Sequence, residues 1–247
     1  AVFCDGTVPR FESLRVELES QMSSEKISSL IRAIHDALQS SEQLDGVQQT
    51  ISRLDALDLD DHRCSPLPPQ IPLHFEGELK AAVEHIPTSL KTVAQALSAA
   101  APTLNWNAEA DSSAGYYEAG ADVGQSFLDG NLVCRLVGPG ESFFFSEDLF
   151  LSLFFLKPRT LYRDHAHQAS EMYFNLTGPC GFRLGDEGWV DYPADSVIWN
   201  PPSRPHATRV YGIPFLSAVS WVSDLDSVCR VVPRDDWQGL EAQLQAG

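Results

Sequence analysis

The sequence predicts an α+β protein: a helical N-terminal region, residues 1–104, followed by a small antiparallel, jelly-roll-like β-barrel, residues 105–247. Two patterns carry this. Apolar residues recur at helical spacing through the first hundred positions, and from about residue 130 they gather into short β-rich runs. Those runs are divided by Gly, Pro and Asp clusters at regular intervals, the grammar of a barrel or sandwich. A hydrophobic content of 43% in 247 residues supplies material for a substantial core.

The helical elements follow in order. Phe11, Leu14, Leu18 and Met22 form one stripe, and Ile27, Leu30, Ile31, Ile34 and Leu38 a second, with Ser23 and Ser24 between them as an expected N-cap. Val47, Ile51, Leu54 and Leu57 make a third stripe after Asp45-Gly46. Ser65-Pro66-Leu67-Pro68-Pro69, with Pro72 behind it, must be an extended connector. Shorter helices are expected around Leu79 and Val83, and from Leu90 through Val93 to Leu97. The β-runs are Asn131 to Val137, Phe143 to Leu156 with a break, Glu171 to Thr177, Ser196 to Trp199 and Phe215 to Val222.

Charge narrows the partners. Seventeen Lys and Arg against 34 Asp and Glu give a net charge of −17, which repels nucleic acid and anionic membrane. No apolar run reaches the roughly 18 residues that span a bilayer. The five cysteines are widely spaced, odd in number and without a CxxC pair, which fits a reducing, cytoplasmic location. The apolar helical stripes bury surface against the barrel or against a second copy, so a homodimer is reasonable.

The chemistry concentrates in His165-Ala166-His167-Gln168-Ala169-Ser170-Glu171-Met172-Tyr173. Residues two apart on a strand share a face, so His165 and His167 can address one cavity. Four residues on, Glu171 has room to cross a tight bend and join them from the next strand. There Glu171, Tyr173, Asn175 and Thr177 share a polar face, opposed to Met172, Phe174 and Leu176, which the N-terminal helices are expected to cover. His206, at the end of the rigid turn Pro201-Pro202-Ser203-Arg204-Pro205, offers a third imidazole. Three imidazoles and a carboxylate suit one divalent transition metal ion: zinc, iron, manganese, cobalt or nickel.

The order HxH, three residues, Glu, six residues, Gly, ending at Gly178, resembles the first cupin motif without a departure. The second motif is degraded: in Pro201-x-Ser203-x-x-His206, Ser203 replaces a Gly, and Val210 stands where an Asn is usual. Within the cupins the chain resembles the bacterial dimethylsulfoniopropionate (DMSP) lyases, of the DddL type and more distantly the DddQ type. Ser146-Glu147-Asp148-Leu149-Phe150, Tyr162 with His167, Glu171-Met172-Tyr173 and Pro205-His206-Ala207 carry the likeness, over roughly residues 105 to 225. That resemblance implies a carbon–sulfur lyase splitting DMSP into dimethyl sulfide and acrylate. It maps the metal ligands to His167, Glu171 and His206 with His165 or Tyr173.

The implied reaction is a β-elimination that needs a base near the metal. Tyr173 and Tyr162 are the candidates, Tyr173 favoured because it shares a strand face with Glu171. Tyr162, Trp199 or Trp221 could hold the sulfonium by cation–π contact. Arg163, Arg204 and Arg209 read as surface salt-bridge partners, and Cys180 as inert. The competing readings are another metal cupin enzyme, a dioxygenase or an isomerase, and a non-catalytic cupin that binds a small ligand. An oxygenase would depend on oxygen and ferrous iron, whereas a lyase works without oxygen.

Overall fold

The computed structural model describes residues 9–60, 67–108 and 116–247. Cys4, Cys64, His62 and the Ser65-Pro66 start of the connector lie outside the described residues, whereas Leu67-Pro68-Pro69 has no regular secondary structure. The helical region comprises α1 (Pro9–Gln39), α2 (Asp45–Asp55), α3 (Glu76–Glu84) and α4 (Lys91–Ala100). Helix α1 runs unbroken through Ser23 and Ser24, so the expected cap between two helices is not there. Serine lowers helix propensity only modestly, and the buried stripe Ile27, Leu30, Ile34 and Leu38 anchors the second half of the same helix. Among the described residues, no helix is long and apolar enough to cross a membrane.

After the short α5 (Gln125–Leu128) the strands begin: β1 (Asn131–Val137), β2 (Phe150–Leu156), β3 (Leu161–Ala166), β4 (Glu171–Asn175) and β5 (Cys180–Leu184). They continue with β6 (Val190–Tyr192), β7 (Val197–Asn200), β8 (His206–Val210), β9 (Phe215–Trp221) and β10 (Arg230–Val231). The chain closes with α6 (Trp237–Ala246), a helix beyond the β-runs legible in the sequence. Two five-stranded antiparallel sheets result, ordered β1-β2-β9-β4-β7 and β10-β3-β8-β5-β6. This is the α+β, cupin-type architecture that the sequence predicts.

Alternation along each strand divides the apolar residues between two cores. Val133, Phe154, Tyr173, Phe182, Phe215 and Val219 face one another inside the barrel. Leu132, Leu153, Met172, Phe174 and Ala218 face outward from the first sheet and join Ile27, Leu30, Leu79, Val93 and Leu97 of the helices. The N-terminal helices therefore cover the outer face of the first sheet, as the Met172-Phe174-Leu176 face requires.

Trp199 belongs to that outer layer. A Cβ built on Gly46 would lie 1.9 Å from Trp199 Cε3, so the indole lies flat against α2 where only glycine fits. Trp199 consequently faces the helices and is removed from the set of aromatics available to a sulfonium inside the barrel.

Candidate metal centre

Strand β3 carries Tyr162 and His165, three residues apart, which a regular strand would point to opposite faces. Tyr162 pairs with Thr208 and His165 with His206, so three steps along β3 match two along β8. That one extra residue is a β-bulge, and it turns both side chains into the barrel. Their rings stack there at 3.9 Å and 23°. His206 enters from β8 with its ring centroid 4.0 Å from that of His165. His167 follows the end of β3, and its ring is 5.1 Å from His206.

The three imidazoles present nitrogen atoms within 4.8 Å of one another. All are buried, with residue exposures of 1% for His165, 3% for His167 and 0% for His206. Their hydrogen bonds to backbone carbonyls orient the rings. His165 Nδ1 meets the Arg163 carbonyl at 2.8 Å, His167 Nδ1 the Ala169 carbonyl at 3.0 Å, and His206 Nδ1 the Arg204 carbonyl at 3.1 Å. A carbonyl oxygen only accepts, so each Nδ1 carries a proton and each Nε2 is the ring nitrogen left to face the cluster. The Asn200 amide also reaches His206 Nδ1, at 2.8 Å. Because that nitrogen is a donor, the amide serves it best oxygen-first, which also gives the buried Asn200 Oδ1 a partner.

Glu171 completes the cluster from β4. Its Oε2 lies 3.2 Å from His167 Nε2 and 3.0 Å from His206 Nε2, and its Oε1 accepts from Trp221 Nε1 at 2.9 Å. Burial would raise the Glu171 pKa, but His167 and then His206 outweigh it and hold the carboxyl well below its usual range, as an anion. Burial, reinforced by His206, holds His165 well below the ordinary histidine value, so its imidazole is neutral.

A metal ion fits this arrangement. His165 Nε2 is buried with no hydrogen-bond partner, and His206 Nε2 meets only Glu171 Oε2, a costly condition for a buried polar atom unless a ligand engages it. Imidazoles oriented by backbone carbonyls, beside an anionic carboxylate, are the usual make-up of a divalent site and its supporting shell. The described residues hold one such group of histidines.

Both tyrosines are beside the cluster. Tyr173, also on β4, lines the same cavity as Glu171, and burial, then that carboxylate, raises its pKa well above the ordinary tyrosine value. Tyr162 is sandwiched between His165 and Phe127, the latter at 3.9 Å and 12°, and its hydroxyl lies 2.7 Å from that of Tyr117. Burial, then Tyr117, raises its pKa too. Glu171, Tyr162 and Tyr173 share the wall of a cavity of about 140 Å³ with Tyr116, Arg135 and Trp221. Trp221 packs between His167, at 4.5 Å, and Tyr116, at 5.6 Å.

Tyr116, Tyr117, Asn200 and Arg135 are site neighbours that sequence reasoning missed. For Arg135 a signal existed: it is a cation inside an apolar run and shares the strand face of Val133, which points into the barrel. The other arginines behave as read. Arg163 pairs with Asp122 and Glu241, Arg204 with Glu187, and Arg209 with Asp191. Cys180 is a buried free thiol whose pKa burial pushes up to about 12.

A barrel that gathers three buried imidazoles and a carboxylate defines a cupin-type protein with a site that could hold a metal ion. The chain matches the DMSP lyase family model over residues 45–217 and belongs to that family. Over 108 residues it is 31% identical to the dimethylsulfoniopropionate lyase DddQ of Ruegeria pomeroyi; the match takes 44% of this chain and 53%, about half, of that relative. The crystal structure of DddQ from Ruegeria pomeroyi superimposes with a TM-score of 0.63 at 23% identity, covering 83% of this chain and 96% of that one. A chain from the crystal structures of the DMSP lyases RdDddP and RnDddQII gives 0.63 at 20% identity, covering 85% and 100%. At such identities these two superpositions establish a shared fold.

Proposed function

We propose that this chain is a metal-dependent carbon–sulfur lyase that cleaves DMSP to dimethyl sulfide and acrylate by base-initiated β-elimination. Membership of the DMSP lyase family supports the substrate, a small zwitterion. The single observation that carries the mechanism is that Tyr173 and Glu171 line one cavity beside the buried His165 Nε2, which has no hydrogen-bond partner.

His165, His167, His206 and Glu171 would hold one divalent first-row ion. Bound there, the ion supplies positive charge that acidifies the substrate's α-carbon through its carboxylate and favours the Tyr173 phenolate against burial and Glu171. The Tyr173 oxygen takes the α-proton, and the C–H electron pair becomes the carbon–carbon double bond. The Cβ–S bond breaks with its pair remaining on sulfur, so the sulfonium leaves as neutral dimethyl sulfide. The products are acrylate and a protonated Tyr173, which balances the reaction.

Tyr162 is the second catalytic candidate. We assign it first to orientation, because its hydroxyl is engaged by Tyr117 and its ring supports His165. The faces of Trp221 and Tyr116 offer cation–π contact to the sulfonium, worth about 0.5–2 kcal/mol. The described cysteines are free and buried, in keeping with a reducing compartment, and we place the reaction in the cytoplasm.

The test is proton NMR of DMSP incubated anaerobically with the metal-loaded protein. Acrylate and dimethyl sulfide should form in equal amounts without oxygen, and a chelator should stop them. Unchanged DMSP would refute the lyase assignment.

A further inference from the structure

We infer that Asp164 is a positioning residue for the metal centre: with α6 it locks the β3 bulge that turns His165 into the barrel. The inference rests on the proposed role of His165 as a metal ligand.

Asp164 is one of the two residues between Tyr162 and His165, where the β3 register slips. Its carboxylate is fully buried yet lies away from the imidazole cluster, among groups that the reaction does not use. Arg183 grips it with Nε at 3.0 Å and Nη2 at 2.5 Å, and Trp237 Nε1 donates at 2.8 Å. Arg234 Nε stands 3.5 Å away. Arg183 also holds Asp236, the residue that opens α6, through Nη1 at 2.5 Å. The backbone is pinned as well: Val232 N donates to the Asp164 carbonyl at 2.8 Å, and β10 pairs Val231 with His165. The segment 230–237 thus wraps the outside of β3 at the one place where its phase changes.

A buried ion pair is weak evidence of stability, because desolvation offsets most of the attraction. Its best-attested use is to specify one geometry among several. Here the alternative is a regular β3, which would leave Tyr162 inside and rotate His165 outward, a one-residue slip that reverses every following side chain. With the carboxylate anchored by two arginines and an indole on the outer side, that slip would break every contact at once.

Cobalt(II) titration of the metal-free protein, followed by visible absorption, tests this in the full chain. His165→Ala supplies the spectrum of a site lacking that ligand. Asp164→Asn should bind cobalt about 10-fold more weakly, with a spectrum moved toward that of His165→Ala. Glu241→Gln removes the ion pair between α6 and Arg163 without touching Asp164, and should retain the wild-type affinity and spectrum. An Asp164→Asn protein with the wild-type affinity and spectrum overturns the inference, as does an equal loss in Glu241→Gln. If Asp164→Asn does not fold, Trp237→Phe removes one donor while keeping the ion pairs. It should shift the spectrum in the same direction by less, and an unchanged spectrum overturns the inference. A wild-type spectrum indifferent to His165→Ala removes the ligand role of His165 and this inference with it.

Discussion

Tyr173 and Glu171 occupy alternate positions on β4 and face the same cavity, and this pairing decides which tyrosine matters most. Tyr173→Phe should lower kcat by about 10²–10⁴-fold with bound metal unchanged, measured as dimethyl sulfide release beside metal content. Tyr162→Phe keeps the ring that stacks on His165 and loses only the Tyr117 contact, so its effect should be smaller. The His165 imidazole is neutral when folded and has a depressed pKa, so below about pH 6.5 the unfolded chain binds more protons than the folded one. Stability of the metal-free protein should therefore fall from pH 7.5 to 5.5, and His165→Ala should flatten that fall in Tm. At this scale the sequence spacing was enough to bring His165, His167, Glu171 and His206 together. It did not disclose the bulge that aligns Tyr162 with His165, because an extra residue is visible only against the partner strand. Nor did it disclose the facing of Trp199, which depends on where α2 docks.

Elements were legible where an apolar run or stripe is bounded by turn residues. The run Asn131 to Val137 matches β1, and the stripe Val47, Ile51 and Leu54 matches α2. Ser23 and Ser24 misled because a capping residue type can also sit within a continuing helix when flanking turns are anchored. Helix α6 has its own signal in Trp237, Leu240 and Leu244, at helical spacing, although it lies past the last β-run. The docking of α2 on β7 depends on Gly46 beneath Trp199. Gly46→Val should destabilise the protein by about 1–3 kcal/mol through overpacking, read as a lower urea midpoint at unchanged m-value. A midpoint equal to the wild type would mean that the helix is free to shift over the indole.

In the whole molecule, the change of pattern at residues 104 and 105 lies inside a continuous hydrophobic core, with Leu104 and Trp106 both buried in it beside the helices and the first sheet. We expect the helical region and the barrel to unfold in one transition, with far-ultraviolet circular dichroism and tryptophan fluorescence giving coincident curves. Two separated transitions would instead divide the molecule at that boundary. The second sheet has its own cover in α6, which reaches β3 and ties the end of the chain to the strand that supplies His165. Helices thus pack against both outer faces of the barrel. Function follows from what these layers enclose: buried imidazoles, a carboxylate and two tyrosines around a small cavity. The measurement that tests this most directly is headspace dimethyl sulfide from DMSP, set against bound metal, in the wild type and in the His167→Ala and His206→Ala variants. The account predicts release that rises with metal occupancy in the wild type and is lost in both variants; undiminished release from metal-stripped protein would contradict it.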